Sequence, residues 1–388
     1  MTSIPRSAAA RGRAAAAPVT TLTQDDAGRL LVAALEPYLG PHGAARVLVV
    51  SGSYGAGHDA AAAEIASRLS AAGCVVRRSD VADMLPLGSG RLLRRAYLAQ
   101  LKAVPSSWGT VLHQLRPGTW LHRVAGTLTG LAGPALLEEV RAGTELVIST
   151  HPIASQALGR LRADGRLAVP AVTYLTDASV HALWVHARVD LHLGLHDVTT
   201  AQARALGGAA TTIAPLVPRP DAALGEAWAV RVAAARAGLT ADHLAPFVLV
   251  TGGSEGIGEL TSSAEDVLAT GLGTPVVVCG RNEALRRHLA QRPGIVALGW
   301  RDDLPEVIEA VDCVVQNAGG FSAWQALATG TPVLTYRPIP GHGVTNAAAL
   351  ERAGLVPWAR SAADLAGHLE LLLGRAVVGE PTLLELAG

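Results

Sequence analysis

The chain has 388 residues, 49% of them hydrophobic, with a mean hydropathy of +0.31 and 32 basic side chains against 32 acidic ones. That is core material for about two to three domains; the balanced charge argues against general nucleic-acid binding, and no apolar run reaches the ~18 residues that would span a bilayer. Cys74, Cys279 and Cys313 lie far apart in apolar runs, as core residues of a reducing compartment such as the cytoplasm do, not as a disulfide frame or zinc site.

Residues 1–25 carry Arg and Ala but no apolar segment of the signal-peptide kind, and read as a disordered lead-in. A helical pattern over 26–40 breaks at Pro37 and Gly40. ARVLVV (45–50) is a buried strand; it opens into the Gly-rich turn SGSYGAGHD (51–59) and an Ala-rich helix (60–72). Strands follow at 75–81, 145–150, 171–176 and 191–195, with helical patterns between them. This alternation predicts a parallel sheet with helices on both faces.

Residues 84–137 break the rhythm. They hold Arg91, Arg94, Arg95, Lys102, Arg116 and Arg123, with Trp108 and Trp120, and no Asp or Glu. A basic face beside an apolar one fits an interfacial membrane element; a core-packed helix with a solvated Arg stripe fits equally well. Across the chain, residues 1–215 carry 20 basic and 14 acidic side chains, a net +6, and residues 216–388 carry 12 and 18, a net −6. Such polarity implies that one half faces something anionic.

PLVPRP (215–220) marks the domain boundary. We therefore expect domains at 26–216 and 217–375, with 376–388 a tail. The second half restarts the alternation: strand 246–251, turn GGSEGIG (252–258), helix 259–270, strand 275–280, helix 282–291, strand 295–300 and helix 304–310. It continues with strand Cys313–Gln316, a turn at Gly319 and Gly320, helix Phe321–Thr329, strand Pro332–Tyr336, a Pro/Gly loop and a last helical run, Ala362–Leu373. Strand, Gly turn and helix N-terminus at a crevice is how open α/β sheets bind nucleotides. Gln325, one turn into its helix, offers an amide to a sugar hydroxyl. TGGSEGIG (251–258) also resembles a dehydrogenase cofactor loop. However, Lys102 is the only lysine and precedes it, which excludes both the Tyr-xxx-Lys pair of those enzymes and a Walker loop.

The segment DCVVQNAGGFSAWQALATGTPVLTYRPIPGHGVTNAA (312–348) resembles the donor half of GT-B glycosyltransferases. The resemblance is to the branch with monogalactosyldiacylglycerol synthases, processive diacylglycerol glucosyltransferases and, more distantly, the lipid-II-forming GlcNAc transferase. It extends over about residues 45–375: Gly57-His58, the Thr-His-Pro at 150–152, the pattern Thr176, Asp177, His181, Trp184, Asp190, and the turns at 279–282 and 299–300 all match. It implies an α/β fold of two doubly wound, Rossmann-like domains facing a cleft, and an inverting transfer from a UDP-sugar to a lipid or membrane-associated acceptor. Donor contacts would fall on Gly252, Gly253, Ser254, Asn282, Trp300, Gly319, Gly320, Phe321, Ser322, Gln325, Gly341, His342 and Asn346. Gly57, His151, His181 and Trp184 would face the acceptor, and His58 or Asp177 would be the base. No cofactor and no metal are expected, since Asp-x-Asp is missing. The implied place is the inner face of the cell membrane, with 84–137 on the lipid and the last helix packed back on the first half. Three departures stand out: Gln325 replaces the ribose-binding Glu, Asn317-Ala318 a Lys-Pro, and His342-Gly343 a polar pair. They keep open a non-catalytic nucleotide-sugar-binding protein and a UDP-sugar epimerase of the same fold.

Overall fold

A computed structural model describes residues 24–39, 45–103, 114, 118–140, 143–218, 225–240 and 246–378. The lead-in up to residue 23, Trp108, Arg116 and the tail from 379 lie outside the described residues. The first half runs α1 (Gln24–Leu35), β1 (Arg46–Ser51), α2 (Ala56–Ala71), β2 (Val75–Asp80), α3 (Ser89–Ala103), α4 (Trp120–Gly130), α5 (Gly133–Glu139), β3 (Leu146–Ser149), α6 (Pro152–Ala163), β4 (Ala171–Tyr174), β5 (Leu191–Gly194), α7 (Asp197–Ala205) and β6 (Ala210–Thr212). The second runs α8 (Gly225–Thr240), β7 (Phe247–Thr251), α9 (Leu260–Thr270), β8 (Thr274–Val278), α10 (Glu283–Leu289), β9 (Val296–Leu298), α11 (Leu304–Ala310), β10 (Cys313–Gln316), α12 (Phe321–Thr329), β11 (Val333–Tyr336), α13 (His342–Arg352), β12 (Trp358–Ala359) and α14 (Ala362–Val378).

Each half contains one six-stranded sheet, ordered β2-β1-β3-β4-β5-β6 and β12-β11-β10-β7-β8-β9, and all strand pairs are parallel. Central strands such as Phe247–Thr251 are buried along their whole length, as runs of Val and Leu require when helices cover both faces. The strand order reverses between β1 and β3 in the first sheet and between β7 and β10 in the second. Chain connections leave in opposite directions there, so the strand ends open a crevice. Both crevices lie where the sequence places its Gly-rich turns.

One buried cluster continues from one half into the other, taking in Ile65 and Leu69 of α2 with Trp324 and Leu327 of α12. A second lies under α9 and α14 and includes Leu365, Leu369, Leu372 and Leu373. The last helix thus covers its own sheet instead of packing back on the first half. Its i, i+4, i+7, i+8 leucines fill the second sheet's otherwise open face. The Pro/Gly loop is also shorter than expected, because α13 begins at His342, and α2 begins at Ala56, which puts His58 in its first turn. No helix among the described residues is long and apolar enough to cross a membrane.

Leu249, central in β7, is fully buried. Leu249→Ala is expected to cost about 2–5 kcal/mol through the cavity it leaves; equilibrium urea unfolding would show it as a lower midpoint.

Candidate active site

The first crevice is built around His58. Its Nδ1 lies 2.8 Å from the carbonyl oxygen of Thr150 at the end of β3. A carbonyl only accepts, so Nδ1 carries the proton and Nε2 is left as an acceptor. Thr176 Oγ1 sits 3.2 Å from the same Nδ1, and Thr150 Oγ1 donates to the His58 carbonyl at 3.0 Å. Residues following two neighbouring strands therefore hold one ring. His151 packs edge-on beneath that ring at 4.7 Å between centroids and stacks on Tyr54. Its Nδ1 accepts from the Ile153 N–H, capping α6, and its burial holds its pKa well below the usual imidazole value. A Cβ on Gly52 would sit 2.6 Å from this ring. His151, expected to face an acceptor, is buried here with its Nδ1 engaged as a helix cap.

Asp177 follows β4. Its Oδ2 accepts from Trp184 Nε1 at 3.2 Å and its Oδ1 from Asn346 Nδ2 at 3.3 Å. Trp184 is 1% exposed, so it orients the carboxylate and offers no surface to an acceptor. His181 opens the short turn that carries Trp184. Burial lowers its pKa to about 4; nearby Asp177 opposes the shift, while His342 and His58 add to it. His342 is lowered too, first by burial and then by His58, against Asp177.

In the second crevice, Gln316 ends β10 and folds its Oε1 back onto the N–H groups of Ala318 (2.8 Å) and Gly319. Gly319 has φ +66°, and a Cβ there would lie 2.5 Å from Asn346 Cβ, so only glycine fits. The N–H groups free for a ligand begin one residue later than the sequence implied, at Gly320, Phe321 and Ser322, where α12 supplies no acceptor. Gln325 lies on the next turn, 3% exposed. Asn317 joins the two flanking loops: its Nδ2 donates to the Ile257 carbonyl at 2.8 Å, and its own carbonyl accepts from Ile339 N at 2.8 Å. Gly253, at φ +72°, has open space where a side chain would be, and Ser254 follows it. Asn282 is a helix cap, accepting from Leu285 N at 3.1 Å, so its place near the donor loops serves to hold α10. Trp300 is exposed on one side and covered by the Arg281 guanidinium, 3.8 Å from the ring centroid. Gly341 (φ +88°) turns the chain into α13 and presents His342.

The two crevices meet. A Cβ on Gly57 would lie 3.0 Å from Phe321 Cβ, so the first turns of α2 and α12 abut; a Cβ on Gly320 would lie 4.0 Å from Asp177 Oδ1. Tyr97 and Leu98 of α3 pack against Ile257 and Ile339 of the donor loops. Around this junction His181 Nδ1, His342 Nδ1, Asn317 Oδ1 and Gln325 Nε2 are buried without partners. Such atoms are costly in an unliganded site and are satisfied by a polar guest. Among the described residues no three His, Cys, Asp or Glu side chains are grouped to hold a metal ion. The polar roles of Gln316 and Ser179 were not singled out in the sequence. The one signal was a polar pair, Gln316-Asn317, closing an apolar strand.

Residues 58–216 match the family model of monogalactosyldiacylglycerol (MGDG) synthase. The processive diacylglycerol beta-glucosyltransferase of Bacillus mycoides is 27% identical over 243 residues, 59% of this chain and 60% of that protein. Its counterpart in Bacillus cereus is 26% identical over 238 residues with the same coverage, so the chain spans about 60% of the length of these curated relatives. Among solved structures, a UDP-glucosyltransferase from Polygonum tinctorium capable of glucosylating indoxyl, in complex with 3,4-dichloroaniline, aligns at TM-score 0.53 and 12% identity, over 87% of this chain and 91% of that one. The glycosyltransferase SnogD from Streptomyces nogalater aligns at TM-score 0.51 and 16% identity, over 87% and 96%. The GT-B fold and the resemblance read from the sequence are both borne out.

Two outcomes follow from this geometry. Gly319→Ala is expected to destabilise the fold by about 1–3 kcal/mol, since it forces both a left-handed φ and a clash; thermal unfolding reads this. His151 and His181 stay neutral when folded but take a proton when unfolded. Stability should therefore be level above about pH 6.5 and fall as pH drops from there toward 4. Unfolding midpoints across that window, with His181→Gln flattening the fall, check the sign.

Proposed function

We propose that the protein is an inverting glycosyltransferase that moves a hexose or N-acetylhexosamine from a UDP-sugar to a hydroxyl of a diacylglycerol-type lipid. The observation that carries this reading is the junction of α2 and α12. Two helix N-termini and the open N–H groups of Gly320, Phe321 and Ser322 converge beside His58 and Asp177. That arrangement suits a diphosphate next to a proton acceptor. Gly253 and Ser254 border the diphosphate from the neighbouring turn. The Gln325 amide offers a hydrogen bond to ribose, weaker than the charge-assisted bond of a carboxylate. Trp300 and Arg281 lie at the mouth for the base, and His342 beside the sugar.

In the reaction we assign His58 as the base, because its Nε2 is uncommitted while both oxygens of Asp177 already accept hydrogen bonds. Nε2 takes the proton of the acceptor hydroxyl as its oxygen bonds to the anomeric carbon. The bond from that carbon to the β-phosphate oxygen breaks, and UDP leaves with the electron pair, stabilised by the helix N-termini. The Asp177 carboxyl group, held by Trp184 and Asn346, faces the sugar on which positive charge develops.

A lipid acceptor fits the outer surface. Leu87, Leu92 and Leu93 at α3, and Trp120, Val124 and Leu128 on α4, are exposed. Arg91, Arg95 and Arg123 lie beside them, the combination that seats on an anionic membrane interface without spanning it. The names of the curated relatives, diacylglycerol glucosyltransferases, support the same acceptor class.

Release of UDP from a panel of UDP-sugars, with and without diacylglycerol vesicles, tests this. We expect turnover that needs one sugar and the lipid, and that falls by about 10²–10⁴-fold in His58→Ala. Binding of UDP with no transfer under any lipid condition would point to a binding protein instead, and donor turnover without lipid to an epimerase.

A further inference from the structure

Asn346 lies on α13 of the second half and is fully buried. Its Oδ1 accepts from the backbone N–H of Ser179 at 2.8 Å and from the Ser179 hydroxyl at 2.6 Å, both on the first half. Its Nδ2 donates to the Ala318 carbonyl of its own half at 2.8 Å and to Asp177 Oδ1, again across the crevice, at 3.3 Å. A carboxamide has two donor hydrogens and two acceptor lone pairs. All four are engaged by protein in this arrangement. Ser179 Oγ also lies 2.8 Å from Thr345 Oγ1, the residue next to Asn346.

We infer that Asn346 is a latch, whose single amide clasps Ser179 across the crevice and at the same time holds the Asp177 carboxylate in place. The second oxygen of that carboxylate is held from its own half by Trp184. Asp177 is therefore fully positioned only when the halves are together. Parting them takes one donor from the carboxylate and both Ser179 donors from the Asn346 oxygen together, so the closed arrangement is favoured as a unit. The donor turn belongs to the same unit, because Gly319 packs directly on Asn346 Cβ. Closure, donor seating and the set of Asp177 are thereby coupled through one side chain, which makes Asn346 a positioning residue for the reaction proposed above. The inference rests on that reading for its catalytic consequence, though not for the latch itself.

The experiment compares wild type, Asn346→Ala and Ser179→Ala by small-angle scattering in the absence of donor, and by steady-state transfer. The latch predicts a larger radius of gyration for Asn346→Ala and a shift in the same direction for Ser179→Ala. It also predicts that kcat falls roughly 10- to 100-fold while the donor KM stays within about threefold, as expected when groups are misplaced but binding is kept. Ser179→Ala removes one hydroxyl, so it serves as the second test if Asn346→Ala folds poorly. Scattering profiles that superpose on wild type would overturn the latch. So would a donor KM that rises more than kcat falls in Asn346→Ala while Ser179→Ala is neutral, because that is the pattern of a sugar ligand. If wild type itself neither binds UDP nor transfers sugar, the proposed function fails, and the scattering comparison still decides the latch.

Discussion

The site depends on the close approach of Gly57 to Phe321. Two helices from different sheets can bring their first turns together only if one of them has no side chain at the contact, and a Cβ at Gly57 would already crowd Phe321 at 3.0 Å. Once they touch, several features follow. Unpaired N–H groups from α12 open into the same space as the first turn of α2. The two helix dipoles point their positive ends at one place, so an anion there is favoured without any lysine. His58, in the first turn of α2, and Asp177, on a strand-end turn, border the same space. The requirement for glycine at 52 and 319 is the same constraint repeated: backbone must pass directly over a ring or an amide.

Burial then sets the charge of the crevice. His151, His181 and His342 are all pushed toward the neutral form by desolvation; His58 lowers each of them further, and Asp177 opposes the shift at His181 and His342. Neutral imidazoles add no positive charge, so the helix N-termini are left to attract an anion. The donor loops are held by neutral contacts as well, through Asn317 between Ile257 and Ile339. Their outer edge is fixed by an ion-pair network in which Arg337, itself at φ +45°, bonds to Asp266 and Glu259. An ion pair at the rim and an amide at the centre put the cost of desolvating charge where water remains.

Much of this was legible in the chain. Runs such as ARVLVV and PFVLVT are apolar on both faces, as a parallel sheet covered by helices on both sides requires, and the glycines after them mark both switch points. His58 lies at the head of a helix, Asp177 after a strand and Gly320 at a helix start, as the sequence reads them. What sequence could not reveal was how polar side chains are spent. Asn282 and His151 cap helices, and Trp184 and Asn346 bond to Asp177, contacts that no motif announces. Partners of an amide or a ring are set by tertiary packing and leave no periodic trace. The same limit explains the last helix: its leucine spacing says that one face is buried, but not against which sheet. Gly341 and Pro340 read as loop because a left-handed glycine ends most elements, whereas here it begins one.

Amide-resolved hydrogen exchange during titration with UDP, and separately with uridine, tests the central claim most directly. The account predicts that UDP protects the amides of Gly320–Ser322 and the 252–258 turn, and that uridine, lacking the diphosphate, binds at least about tenfold more weakly and leaves the Gly320–Ser322 amides unprotected. Equal binding of the two, or protection that bypasses α12, would contradict the claim that the abutting helix N-termini form the anion site.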